Sequence, residues 1–252
     1  MSSKVNYESL ASVMPRNEQE TDAVVDPVIA EMNARLEAEF AAENEHTTQG
    51  DRTVFCVGSG PSLTREDCAA IEKTGCSIIA VNNSWQMFDD IYALYAGDLS
   101  WWKQYGSTIP GGKFRKVTAN LAAAKSFSLE YRRYCGPAEG VNSGAQAISL
   151  AAESGAEVVV LVGYDCSLQN GLHWHGAHPQ ALRNPTQVSI SKWQQQFLDT
   201  RKKHADLHIL NASRSSAIQC FPRINLEAVI ALLSSAVAQA PQALLRRVEC
   251  RL

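Results

Sequence analysis

The chain has no Cys-x-x-Cys pair among its seven cysteines, at positions 56, 68, 76, 135, 166, 220 and 250. An odd, scattered set of this kind argues against a disulfide framework and for a reducing compartment. Several of these cysteines fall inside predicted strands or helices, where a free thiol behaves as a small hydrophobe. No apolar run reaches the ~20 residues that span a bilayer. The N-terminus is polar and lacks the apolar core of a signal peptide. The expectation is a soluble, cytoplasmic protein. An excess of positive charge is also missing. The formal net charge of −3 argues against a broad basic face for nonspecific nucleic-acid binding. There is no internal repeat and no low-complexity block.

What is present is enough chain for one large α/β domain with an appendage: 252 residues, 45% of them apolar. Residues 1–50 carry three Lys/Arg and ten Asp/Glu, a charge of −7, which leaves +4 for the rest. In this acidic extension, Asp26-Pro27 reads as an N-cap followed by proline at the first helical position. Val28/Ile29, Met32, Leu36 and Phe40 then recur at helical spacing. That amphipathic helix either packs on the domain or joins copies of the chain into a homo-oligomer. Residues 51–240 form the main domain, and 241–252 form a basic tail.

The main domain alternates strand and helix patterns. Strands are predicted at Thr53–Val57, Ser77–Val81, Ile91–Ala96, Lys113–Thr118, Glu157–Val162 and Leu207–Leu210. Helices are predicted from Thr64 to Gly75, around Trp85–Phe88, and over 142–154, 189–204 and 226–237. Asp67, three residues after Thr64, suggests a capping box. Residues 119–140 show no clear pattern. Such alternation implies a doubly wound, Rossmann-like parallel sheet. In these sheets ligands bind outside the carboxyl ends of the strands.

Each predicted strand end is small or polar. The first leads into Gly58-Ser59-Gly60-Pro61-Ser62, a strand–glycine turn–helix arrangement. Glycines let a backbone approach a ligand closely, and a helix N-terminus suits phosphate. The third glycine of the dinucleotide fingerprint is missing. The second strand ends in Asn82-Asn83 and the third in Gly97-Asp98. The strand at 157–162 ends in Gly163-Tyr164-Asp165, and the last in Asn211-Ala212-Ser213. Asn142-Ser143-Gly144 opens a helix that joins the same rim. A single Asn or Asp at a strand end commonly caps the next helix. Several on one rim are better explained by a ligand crevice, with amides and carboxylates reading a nucleoside and glycine N–H groups holding phosphate.

The long polar loop at 168–188 carries His173, Trp174, His175 and His178. Three readings stand. Histidine titrates near neutrality and suits acid–base catalysis. His-x-His with a third His and Asp165 would make a zinc set, although the spacing matches no standard zinc motif. The plainest reading is a surface loop whose histidines cap or pack.

Gly58-Ser59-Gly60-Pro61-Ser62-Leu63 resembles the opening shared by two groups. These are the bacterial sialyltransferases of the Campylobacter type and the MptE-like group, which includes the archaeal 6-hydroxymethylpterin diphosphokinases. Asn82, Asn142-Ser143-Gly144, Gly163-x-Asp165 and Asn211-x-Ser213 continue the likeness in order. Gly-Tyr-Asp-Cys-Ser followed by His-Trp-His-Gly-x-His-Pro is also similar to phage-encoded proteins of this group, which implies the cytoplasm of a bacterial host. The resemblance implies a nucleotide-sugar-dependent glycosyltransferase with a CMP-type donor and an acceptor of unknown identity. Gly60, Asn82, Ser143, Gly163 and Asp165 would bind the nucleotide. A loop histidine would be the general base, with His175 the first choice among the three. The diphosphokinase branch implies ATP and Mg²⁺, with Asp98 and Asp165 as metal carboxylates. It would also need Arg183, Arg214 and Arg223 to fold inward toward a triphosphate. A further reading is a non-catalytic phage structural or host-interaction protein acting through the N-terminal helix.

Overall fold

The computed structural model describes residues 53–111, 114–132, 141–179 and 182–239. The acidic extension with its expected helix, the basic tail, Cys135 and Cys250 lie outside the described residues.

Seven parallel strands form one sheet. They are β1 (Thr53–Val57), β2 (Ser77–Val81), β3 (Ala93–Tyr95), β4 (Arg115–Thr118), β5 (Glu130–Tyr131), β6 (Val158–Val162) and β7 (His208–Asn211). Their order is β5-β4-β3-β2-β1-β6-β7. The chain builds outward from β1 to β5, then returns to the other side of β1 for β6 and β7. β1 and β6, the two strands at this reversal, are buried along their whole length. Unbroken apolar runs of this kind belong at the centre of a parallel sheet.

Side chains alternate between two cores because successive strand residues face opposite sides. Phe55, Val57, Val160 and Val162 point into one. It is closed by α1 (Arg65–Glu72), α2 (Leu99–Tyr105), α3 (Leu121–Phe127) and α6 (Leu226–Gln239). Val54, Cys56, Val159 and Leu161 point into the other, closed by α4 (Ser143–Glu153) and α5 (Gln187–Lys203). This is the doubly wound, Rossmann-like arrangement expected from the alternating pattern. The stretch at 119–140 resolves in part into α3 and β5. Asn120 caps α3 by accepting from the Ala123 N–H, and Ser128 ends it in the left-handed region at φ 53°.

One expected detail differs. Thr64 does cap α1, accepting from the Asp67 N–H at 3.1 Å. The Asp67 carboxylate does not reach back to complete a capping box. It accepts from Arg214 Nε at 2.9 Å and is paired by the same guanidinium through Nη2. Arginine's planar fork matches a carboxylate better than a single backbone N–H does.

Candidate functional site

The loop after β1 is held down by the loop after β6. The Gly58 N–H donates to Val162 O and the Gly60 N–H to Gly163 O, both at 2.8 Å. A Cβ on Gly58 would lie 2.6 Å from Gly163 O, and a Cβ on Gly163 would lie 2.6 Å from Gly58 O. A Cβ on Gly60 would overlap the Asp165 carboxylate. The glycines are therefore required by the close approach of two crossover loops, and two of their N–H groups are already engaged. Those two N–H groups are spent within the protein.

Asp165 completes the join. It accepts the Ser62 hydroxyl at 2.7 Å and the Ser62 N–H at 3.0 Å. The carboxylate thus sits just ahead of α1, where an anionic ligand was expected. Burial pushes its pKa up, against the pull of the two Ser62 bonds and of Arg223. Ser59 is bound in the same way, its hydroxyl donating to Val81 O at 3.1 Å and lying 3.0 Å from Ser84 Oγ.

Beside this closed loop lies an open crevice, whose roughly 640 Å³ of free space includes open solvent. Its floor is Gly58, Ser59, Gly60 and Pro61 with Gly163 and Asp165. Asn82 lines one side, and Asn142, Ser143 and Gly144 line another. Asn142 caps α4 by accepting from the Ala145 N–H at 2.8 Å. The Ser143 hydroxyl accepts from the Gly97 N–H at 3.0 Å. The Ser143 and Gly144 N–H groups, in the first turn of α4, have no hydrogen-bond partner among the described residues. Asn82 stands in the left-handed region at φ 52°. Its Oδ1 is buried without a partner. These are the polar groups available to a ligand.

The other expected rim residues face elsewhere. Asn83 is buried and accepts Trp101 Nε1 at 2.7 Å. Asn211 is buried, donating to Ser216 Oγ at 2.9 Å and accepting from the Ser213 N–H at 3.2 Å. Ser213 accepts from the Tyr164 N–H at 2.9 Å. Each braces a loop and none lines the crevice. Asp98 is not a lining residue either, and the protein around it raises its pKa while Arg183 pulls the other way. Of the two carboxylates named for Mg²⁺, Asp165 is bonded to Ser62 and Asp98 lies outside the crevice lining. Arg214 is held by Asp67 and Glu227. Arg223 donates to Ser213 O and Arg214 O. The residues lining the crevice include no lysine or arginine.

The three loop histidines come together. Ring centroids are 5.0 Å apart for His173 and His175, 4.6 Å for His173 and His178, and 5.0 Å for His175 and His178. The loop is anchored by the Trp174 N–H, which donates to Ser59 O at 3.2 Å. His173 lines the crevice, whereas His175 and His178 are not among its lining residues. Burial lowers the pKa of His173 to about 4, with His178 and His175 adding to the effect. Burial and then His178 lower that of His175 to about 4. His178 is lowered by burial. All three shifts favour the uncharged rings.

Sequence reasoning missed the apolar side of the crevice, formed by Tyr164, Leu172, Pro185, Trp193 and Phe197. Trp193 and Phe197 lie four residues apart on α5, a spacing that could have marked its inward face. It also missed Tyr105, whose hydroxyl lies 3.4 Å from His178 Nδ1.

No helix among the described residues is long and apolar enough to cross a membrane. No family model and no curated protein matches the chain. Among solved structures the chain is similar to the Bordetella bronchiseptica enzyme WbmH, determined in complex with NAD+. The identity is 13%, the TM-score is 0.26, and the match covers 64% of this chain and 55% of that one. The chain thus spans about half the length of that neighbour, and a likeness at this level carries no argument about its ligand.

Proposed function

We propose that the protein is a nucleotide-sugar-dependent transferase of the sialyltransferase-like kind, with its donor in the crevice between the ends of β1, β2 and β6. The observation that carries this reading is the pairing, in one crevice, of an unpaired helix N-terminus with an orphaned amide. The Ser143 and Gly144 N–H groups and the positive end of α4 favour a phosphate. Asn82 Oδ1 needs a donor, and the exocyclic amine of a cytosine supplies one. Tyr164 and Trp193 give the apolar walls on which a base can lie.

Charge narrows the donor. With no lysine or arginine along the crevice, a triphosphate has little to neutralise it. A donor with a single phosphate suits the site better than ATP, which favours the CMP type over the diphosphokinase reading. The acceptor hydroxyl would enter from the histidine side and lose its proton to the cluster, whose crevice-facing member is His173 rather than His175.

Calorimetric titration with CMP, UDP, GDP and ATP tests this. CMP should bind most tightly and ATP most weakly. No heat with any of the four at millimolar concentration would sink the reading.

A further inference from the structure

The histidine cluster has a feature that acid–base catalysis does not need. Two of the rings leave a buried nitrogen unused. His173 Nε2 is buried without a partner. His175 Nε2 is likewise orphaned. His178 meets the Tyr105 hydroxyl through Nδ1, which leaves Nε2. One general base requires one such nitrogen. Three imidazoles that converge, each with one ring nitrogen within 4.8 Å of those of the other two, require a different explanation. Leaving the buried His173 and His175 nitrogens unsatisfied costs stability.

We propose that His173, His175 and His178 bind one divalent transition-metal ion of the zinc type through one ring nitrogen each. The Tyr105 hydroxyl, 3.4 Å from His178 Nδ1, is the kind of partner that normally orients a metal-binding histidine. Three imidazoles suit zinc, cobalt, nickel or copper, while magnesium and calcium prefer oxygen. Zn–N bonds of ~2.0–2.1 Å place the nitrogens of a tetrahedral site about 3.4 Å apart. The rings therefore draw in by up to about an ångström and a half when the ion enters. Gly171 (φ 108°) and Gly176 (φ 83°) flank the first two histidines and give the loop that freedom. The turn that the Gly176 N–H closes on His173 O, at 3.0 Å, brings together rings whose spacing in sequence matches no standard zinc motif.

Three protein ligands leave a fourth position, the arrangement of catalytic rather than structural zinc. Because His173 lines the crevice, that position opens toward the donor site. A water or substrate oxygen held there is acidified by the ion, and in the loaded protein that oxygen takes over the proton chemistry from the imidazoles. The ion also joins His173, whose neighbour Trp174 is bonded to the β1 loop, to His178, which meets Tyr105 of α2.

The inference does not depend on the donor reading, and its test uses no nucleotide. Full-length protein without a polyhistidine tag is stripped with a chelator, then titrated with Zn²⁺ in competition with a chromogenic chelator. One equivalent should bind per chain. Each of H173A, H175A and H178A should weaken binding by about 100-fold or more, and excess Mg²⁺ should not compete. Wild-type protein that binds Zn²⁺ no more tightly than the triple alanine variant would overturn the inference. Should an alanine variant lose its helical circular dichroism, the Co²⁺-loaded wild type decides. Intense visible bands of a four- or five-coordinate nitrogen site support the proposal, and the pale spectrum of hydrated cobalt refutes it.

Discussion

Two loops meet above β1, and they treat their polar atoms in opposite ways. The Gly58–Ser62 loop is closed. Its Gly58 and Gly60 N–H groups go to backbone carbonyls, and Ser59 and Ser62 are bonded to neighbouring strands and to Asp165. The loop at 171–178 is open, its rings leaving buried nitrogens without partners. A glycine-rich turn invites a ligand-binding interpretation, yet here its glycines serve the packing of one crossover on another. Unpaired polar atoms, rather than glycine content, mark where chemistry is available. Substitutions in the closed loop should damage the fold, and those in the open one should damage activity.

The largest effect should come from the open loop. His173→Ala is expected to lower transfer from a CMP-type donor by about 10²–10⁴-fold, the range for loss of a proton-transfer group. The urea-unfolding midpoint should hardly move. A normal rate, or a collapsed midpoint, would break the contrast between the loops. Gly60→Ala should do the reverse. Its Cβ would overlap Asp165 and lie 2.6 Å from Gly163 O, for a cost of about 3 kcal/mol in urea unfolding.

Asp165→Ala comes next. It leaves the Ser62 N–H and hydroxyl without their acceptor and should cost about 2 kcal/mol. Unchanged stability with lost CMP binding would instead make Asp165 a ligand group. Asn82→Gly keeps the left-handed backbone that φ 52° demands and removes only the amide. Calorimetry should show roughly a tenfold weaker CMP complex, the worth of about one hydrogen bond, with stability little changed.

A further effect is one of pH on chelator-treated protein. His173 and His175 have folded pKa values lowered to about 4 from an ordinary 6.5. Between these values the unfolded chain binds more protons than the folded one. Stability is therefore complete above about pH 6.5 and falls as the pH drops toward 4. Replacing both histidines by alanine should flatten that part of the profile.

The centre of the fold was readable because β1, β2 and β6 are compact apolar runs bounded by glycine or asparagine. β5 was not. It is two residues long and is held at the sheet edge by Arg115, which pairs with Glu130 at 2.8 Å, so no apolar pattern announces it. The rim was readable as a set of residue types, but not by direction. Asn82 and Asn83 are adjacent and identical in kind. The left-handed turn at the first sets its amide in the crevice wall, and the second is taken by Trp101. Nothing local in sequence separates them, because Trp101 arrives from another element. The convergence of the histidines was equally hidden, since it depends on the tethers to Ser59 and Tyr105.

The contrast between the two loops is tested most directly by a crystal structure of the protein soaked with CMP. The phosphate should lie on the Ser143 and Gly144 N–H groups at the start of α4, with the base beside Asn82 and the histidines at the opposite wall. A phosphate seated on the Gly58–Ser62 loop, with Asp165 displaced from Ser62, would contradict it.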